Sequence, residues 1–414
     1  MSKKNGLLAI WMFFLVSIFL FYGMGLQVSP SVLAIDLMND LNIDSKSLGL
    51  LSGFYFYSYT LMQIPSGLLY DRLNAKLIVF CASFITSLGA LFFGLSEEFF
   101  YAAIGRVMLG LGSSFAFVGV LVIAYRWFST SWFALMAGSA QFIAGFGALA
   151  GAFPLAFFVS KYSWRDSMIA LGIFGILLAI VCLIFIKDRP VKEKKEKRHD
   201  ELSIRQSLKL LVLEPQNIYG AIFSFFTWGP VLVFAGLWGV PFFVTKYGIS
   251  NTDAALLISW IWIGVAVTSP LHGLISDYLR RRKIVLTVSA IVGVISSLVI
   301  IYGPIIPNTF IGILLFLFGL ASASQILAFA LIRENNQAEI VGTGMGFNNM
   351  AVVMGGAILQ PLVGILMDQS HLKNQTGYSL FSYEFSLAVV PICFFIAAIV
   401  SIFFIKETHA RHKG

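Results

Sequence analysis

Charge is scarce in this chain. Only 12% of its 414 residues are Asp, Glu, Lys or Arg, whereas 58% are hydrophobic, and the mean hydropathy is +0.87. So little charge cannot cover one soluble core, which excludes an ordinary soluble globular protein and makes lipid part of the solvent. Cysteine is also sparse: Cys81, Cys182 and Cys393 all fall within apolar runs. That excludes a disulfide framework or a cysteine metal site and leaves them as small buried hydrophobes. Nothing resembles a catalytic triad, metal cluster or nucleotide loop, and no polar stretch is long enough for a soluble catalytic domain. Neither an enzyme nor a cofactor is therefore expected.

Long apolar runs are what the chain has in abundance. Runs of about 18 or more apolar residues can cross a bilayer. They occur near 8–35, 48–69, 76–95, 99–124, 133–159, 166–186, 217–244, 254–275, 284–304, 309–331, 342–366 and 384–405, twelve in all. Six lie on each side of Lys192–Arg198, which reads Lys-Glu-Lys-Lys-Glu-Lys-Arg after Pro190. This break reads as a solvated linker with an amphipathic helix on the membrane through Leu208 to Leu213, not as a nucleic-acid arm. The expected fold is an all-α membrane protein: an N-terminal six-helix bundle at 1–187, a cytoplasmic linker at 188–216, and a C-terminal six-helix bundle with a short tail at 217–414. Lys3 and Lys4 precede the first run as in a signal peptide, but no small-residue cleavage site follows, so that run is taken as the first helix.

The net charge of +8 is explained by topology. Of the 28 Lys and Arg, only Lys46, Lys161, Arg165, Lys246 and Lys373 fall on one side of the expected spans. Arg106 falls within a span, and the others share the side of both termini. Cations gather on the cytoplasmic side, so both termini and the linker are expected inside a bacterial inner membrane.

Between the second and third runs stands Gly67-Leu68-Leu69-Tyr70-Asp71-Arg72-Leu73-Asn74-Ala75-Lys76. Gly67, Leu69, Asp71, Arg72 and Lys76 match the loop signature of the major facilitator superfamily of transporters, which the chain resembles. It departs at Asn74, where glycine is common, and at Ala75, where a cation is common. Gly273-Leu274-Ile275-Ser276-Asp277 repeats the Gly67 to Asp71 spacing between the eighth and ninth runs, with Arg280, Arg281, Arg282 and Lys283 following. Two hinges at equivalent places in two six-helix halves are the symmetry of repeat-built transporters. Gly105-Arg106 with Gly110 and Gly112, the glycines Gly138, Gly145, Gly147 and Gly151 with Pro154, and Trp164-Arg165 extend the resemblance along nearly the whole chain. For these glycines, close helix packing in lipid is the preferred reading. The resemblance implies alternating access, with gating groups at Gly67, Asp71, Arg72, Lys76, Gly273, Asp277 and Arg281. Val28-Ser29-Pro30-Ser31-Val32 and Gln63-Ile64-Pro65 look most like bacterial permeases near the phagosomal amino-acid and lysosomal dipeptide branches.

An ionisable group at membrane depth is functional by default, and Arg106 is the one unambiguous case. It either holds a carboxylate or phosphate of the solute or is bonded structurally to helix carbonyls. Tyr55, Tyr59 and Gln63 follow at i+4 intervals, with Ser52 and Ser66 nearby, and either face a cavity or pack across a helix interface. Tyr22, Gln27, Gln141, Trp228, Trp238, Trp260, Trp262, Gln325, Asn348, Asn349 and Gln360 complete the candidate lining, and His272 reads as structural. No Asp, Glu or His falls in the middle of a span. Uniport, exchange, or proton coupling through Glu384 or the solute itself therefore all remain open. An uncompensated cation among tyrosines and amides suits a zwitterion or anion better than a cationic drug, and the permease resemblance implies a carboxylate-bearing metabolite such as an amino acid or short peptide. A drug or siderophore exporter is the alternative, and a non-transporting sensor or channel the alternative of another class. The expected partners are a small solute and the lipid bilayer, with the protein a monomer.

Overall fold

The computed structural model describes residues 3–128, 130–187, 204–370 and 378–409. The charged run Lys192–Arg198 lies outside them. Every regular element among these residues is helical, and the helices group into twelve spans. The first joins Lys3–Val28 to Pro30–Asp40, the second Ser45–Leu61 to Gln63–Arg72. The third, fourth and sixth are the single helices Ala75–Leu95, Phe99–Trp127 and Trp164–Phe185, and the fifth joins Thr130–Ala150 to Phe153–Lys161. After a surface helix at Ile204–Leu213, the seventh runs from Pro215–Val233 through a π-turn at Phe234–Trp238 to Gly239–Tyr247. Asn251–Leu279, Arg282–Tyr302 and Ala338–Ser370 are the eighth, ninth and eleventh. Asn308–Ala323 with Ile326–Asn335 forms the tenth, and Leu380–Leu387, Val389–Ile399 and Val400–Phe404 the twelfth.

Prolines set most of the interruptions. Proline has no N–H, and its ring clashes with the carbonyl four residues back. The breaks at Met62, Gly151 and Ala388 each fall just after that carbonyl, counted from Pro65, Pro154 and Pro391, and the π-turn contains Leu237, four before Pro241. Among the described residues, eleven spans are long and apolar enough to cross a membrane. The second falls short, because Met62 divides it into pieces of 17 and 10 residues and polar side chains lower its hydropathy. The expected amphipathic helix forms, and its Leu211 is buried.

Twelve antiparallel spans bring the first and last described residues, Lys3 and His409, and the two hinges to one face of the bundle, the hinge face. The first six spans pack mainly on one another, as do the last six. The two groups meet where the second span packs on the eleventh and the fifth on the eighth. Cys182 and Cys393 are buried as expected, but Cys81 is exposed on the third span and is not a core residue.

Candidate functional site

Arg106 is fully buried, at 0% exposure. Its Nη1 donates to the Leu26 carbonyl and its Nη2 to the Ser52 carbonyl, both at 3.3 Å. The Leu26 carbonyl is the one that Pro30 deprives of a helical N–H partner. Ser29 Oγ also donates to it, at 2.9 Å. The guanidinium thus ties the fourth span to the first and second, with its carbon 4.9 Å from the centre of the Tyr55 ring. No carboxylate pairs with Arg106 among the described residues, and its Nε has no hydrogen-bond partner. The neighbouring Gly110 permits this approach, since a methyl there would meet the Tyr55 carbonyl and the Ser58 hydroxyl.

A polar seam leads from Arg106 toward the last six spans. Tyr55 donates to Gln27 Oε1 at 3.3 Å, and its ring stacks on Tyr59 at 5.8 Å. Gln63 Nε2 reaches the Tyr59 carbonyl at 3.5 Å, and its Oε1 accepts from Asn349 Nδ2 at 2.7 Å. The i+4 stripe is therefore brought together, and Asn349 of the eleventh span joins it. Asn348 beside it accepts from Ser224 of the seventh span at 2.9 Å and leaves its Nδ2 without a partner.

The remaining candidates divide. Tyr22 turns away from the seam and donates to the Leu171 carbonyl of the sixth span at 3.0 Å. Trp228 meets Trp262 edge-on at 6.5 Å, and the buried Trp262 leaves its Nε1 unpaired. Trp238 of the seventh span is buried against the eleventh, with Nε1 3.4 Å from the Gln360 carbonyl. Gln360 itself donates to the Leu232 carbonyl at 2.6 Å, just before the π-turn, where Pro230 and Pro241 disturb the helical ladder. Gln325 is buried in the break of the tenth span with its Oε1 unpaired, and Gln141 is half-buried. Trp260 points outward from the bundle rather than lining it, at 43% exposure. His272 bonds to the Thr268 carbonyl and the Ser289 hydroxyl, as a structural histidine would.

On the hinge face, Asp277 pairs with Arg282 at 2.6 Å, and Arg282 pairs with the buried Glu334 of the tenth span at 2.7 Å. Arg282 also donates to Ser276 Oγ at 2.8 Å. The expected cation was Arg281, but it is exposed and outside this cluster, because the ninth helix begins at Arg282 and turns only that side chain inward. Spacing could have shown this: Arg282 follows Gly273 by the same interval that separates Lys76 from Gly67. Glu334 carried no such signal, being one acid at a helix end. The Lys76 N–H is capped by Asn74 at 3.0 Å. The side chains of Asp71 and Arg72 lie outside the described residues.

The opposite face is closed. The Ser45 N–H, at the start of the second span, donates to the Tyr378 hydroxyl at 2.8 Å, and Ser45 Oγ to the Gly364 carbonyl at 3.0 Å. Asn251 Nδ2 at the start of the eighth span donates to the Val32 carbonyl at 2.7 Å. A methyl on Gly49 would lie 2.7 Å from the Gln360 carbonyl, whereas one on Gly67, Gly273 or Gly346 near the hinge face would meet nothing within 4 Å. At this closed end the Trp164 indole donates to Asp40 at 2.8 Å, with Arg165 3.7 Å from the same carboxylate.

Comparison with known proteins agrees with this architecture. The sequence pattern of the Major Facilitator Superfamily matches residues 13–250 and 232–414. A hexuronate transporter of Bacillus subtilis (strain 168) is 23% identical over 362 residues, covering 82% of this chain and 83% of the relative. A probable galactarate/D-glucarate transporter of Escherichia coli (strain K12) is 21% identical, covering 86% of each. Among solved structures, a bacterial homolog of the human lysosomal transporter Spinster, inward-facing and unoccupied, superposes with a TM-score of 0.79 at 17% identity, covering 97% of both chains.

Proposed function

Because this chain belongs to the Major Facilitator Superfamily, we propose that it moves a small hydroxylated organic acid, of the uronate or aldarate kind, by alternating access. It is a multi-pass membrane transporter and not an enzyme. Arg106 carries the substrate reading. A guanidinium at membrane depth with no paired carboxylate among the described residues is a standing positive field, and a buried cation gains most from an approaching anion. In this proposal Arg106 stays clamped on its two carbonyls and acts through Tyr55 and Gln27. The amides of Gln63, Asn348 and Asn349 meet the hydroxyls. Hexuronate and galactarate/D-glucarate, named for the relatives, have this combination of carboxylate and hydroxyls. Amino acids and short peptides, implied by the finer resemblance, share only the carboxylate.

In the same proposal, bundles 1–187 and 217–414 rock about the seam, joined by the linker at 188–216. Gly67, Asp71, Arg72 and Lys76, with Gly273, Asp277 and Arg282, open and close the hinge face. That face is cytoplasmic because it carries most of the cations.

The test is counterflow in proteoliposomes with labelled glucuronate and galactarate beside glutamate, a dipeptide, glucose and a lipophilic cation. Saturable exchange of the sugar acids that glucose does not inhibit supports the reading. Exchange of glucose or the lipophilic cation with none of the acids would overturn it.

A further inference from the structure

Spans nine and twelve flank a groove at the hinge face. Thr287 donates to Ser401 at 3.0 Å, and nearer the face Glu407, just beyond span twelve, accepts from the first amides of span nine. They enclose a groove of about 480 Å³ whose walls include Arg281, Lys283, Ile284, Ile402, Glu407 and His409. That volume lies within the usual range of small-ligand sites, about 300–1,000 Å³.

The groove is positive despite its acid. Glu407 accepts from the N–H groups of Arg282 and Lys283 at 2.7 and 3.0 Å, and from those of Thr408 and His409 at 3.1 and 3.3 Å. Its carboxylate thus caps the unpaired amides that open the ninth helix and pairs with neither the Arg281 nor the Lys283 side chain, so two cations stand against one acid in the groove. The Arg281 and Lys283 side chains have no ion-pair or hydrogen-bond partner among the described residues. Below them the wall turns apolar and faces outward. Ile284 is 46% exposed and Val288 54%, and Ile291 and Ile295 continue the same helical face toward the membrane interior.

Two cations at the end of a membrane span, over an apolar track that continues along it, match a molecule with an anionic head and hydrocarbon chains. We propose that this groove binds an anionic phospholipid, with its phosphate held by Arg281 and Lys283 and its chains lying along Ile284 and Val288. A basic pocket between helices at headgroup depth is the general form of such a site. The lipid would also brace the first turn of the ninth span, whose Arg282 holds Asp277 and Glu334.

Native mass spectrometry of the full chain released from nanodiscs tests this. With mixed phosphatidylglycerol and phosphatidylcholine, the wild type should retain phosphatidylglycerol preferentially. Removing each cation should weaken retention about five-fold, so Arg281→Gln with Lys283→Gln should nearly abolish the preference. Lys46→Gln with Lys161→Gln on the opposite face should leave it intact. In lipid-free detergent the groove variant should melt with the wild type, since neither side chain has a protein partner to lose. Equal retention of phosphatidylcholine, or an unchanged preference in the groove variant, would overturn the proposal. So would displacement of the lipid by inorganic phosphate as effectively as by added phosphatidylglycerol, which would mark a free-anion site.

Discussion

Asn349 donates to Gln63 at 2.7 Å and so joins the eleventh span to the second across 286 positions of sequence. On the closed side of this bond, Phe56 packs on Gly356, and on the hinge side, methyls on Gly67 and Gly346 would meet no atom within 4 Å. The bond therefore sits where contact between the two groups of spans gives way to open space.

A solute bound at this level must contact or replace that bond. A net hydrogen bond contributes about 0.5–1.5 kcal/mol, so Asn349→Ala or Gln63→Ala should weaken solute affinity up to about ten-fold. The double variant should weaken it by less than the product of the two, because the residues share one bond. Counterflow measured against solute concentration gives both numbers. Unchanged affinity in all three variants would place the solute elsewhere.

Arg106 has two separable consequences. Arg106→Met removes hydrogen bonds to the Leu26 and Ser52 carbonyls; bonds to charged groups contribute about 1.5–3 kcal/mol. Its melting temperature should fall, and acid exchange should be lost. Arg106→Lys keeps the charge but cannot reach both carbonyls with a planar fork, so it should also melt earlier while retaining preference for acids over neutral sugars. If Arg106→Met remained selective for acids, the residue would be a clamp and nothing more.

The apolar runs and paired hinges made the twelve spans, their order and the family legible, because lipid imposes length and the repeats impose spacing. The i+4 stripe of Tyr55, Tyr59 and Gln63 was legible for the same reason. Partners across the bundle were not. That Asn349 meets Gln63, or that Glu334 meets Arg282, depends on how separate helices pack, and local periodicity carries no record of it. Trp260 shows the converse limit: it and Trp262 are two positions apart, so one faces outward while the other is buried against Trp228.

Arg282 and Arg281 should differ sharply despite being neighbours. Arg282 is buried between Asp277 and Glu334, whereas Arg281 is exposed. Breaking a buried pair by removing one partner costs about 3–5 kcal/mol, whereas an exposed substitution stays within about 0.5 kcal/mol. Arg282→Gln should lower the melting temperature in detergent by several degrees and Arg281→Gln should not, with Glu334→Gln following Arg282→Gln. Equal effects of the two arginine variants would remove Arg282 from the hinge cluster.

Closure of the face opposite the hinges depends on backbones that nearly touch. A methyl on Gly49 would meet the Gln360 carbonyl and Pro361, and one on Gly364 would meet the Ser45 carbonyl; in each case the clash is with the other group of spans. Gly49→Ala and Gly364→Ala should therefore leave each group folded but hold this face apart. Gly67→Ala and Gly346→Ala should not, since both positions open onto empty space. Spin labels at positions 46 and 368 would report the separation by pulsed electron resonance. Longer distances are expected in the first two variants, together with slowed exchange and retained solute binding, and wild-type distances in the other two. Wild-type distances in Gly49→Ala and Gly364→Ala would mean that the face closes by side-chain adjustment instead of by backbone contact.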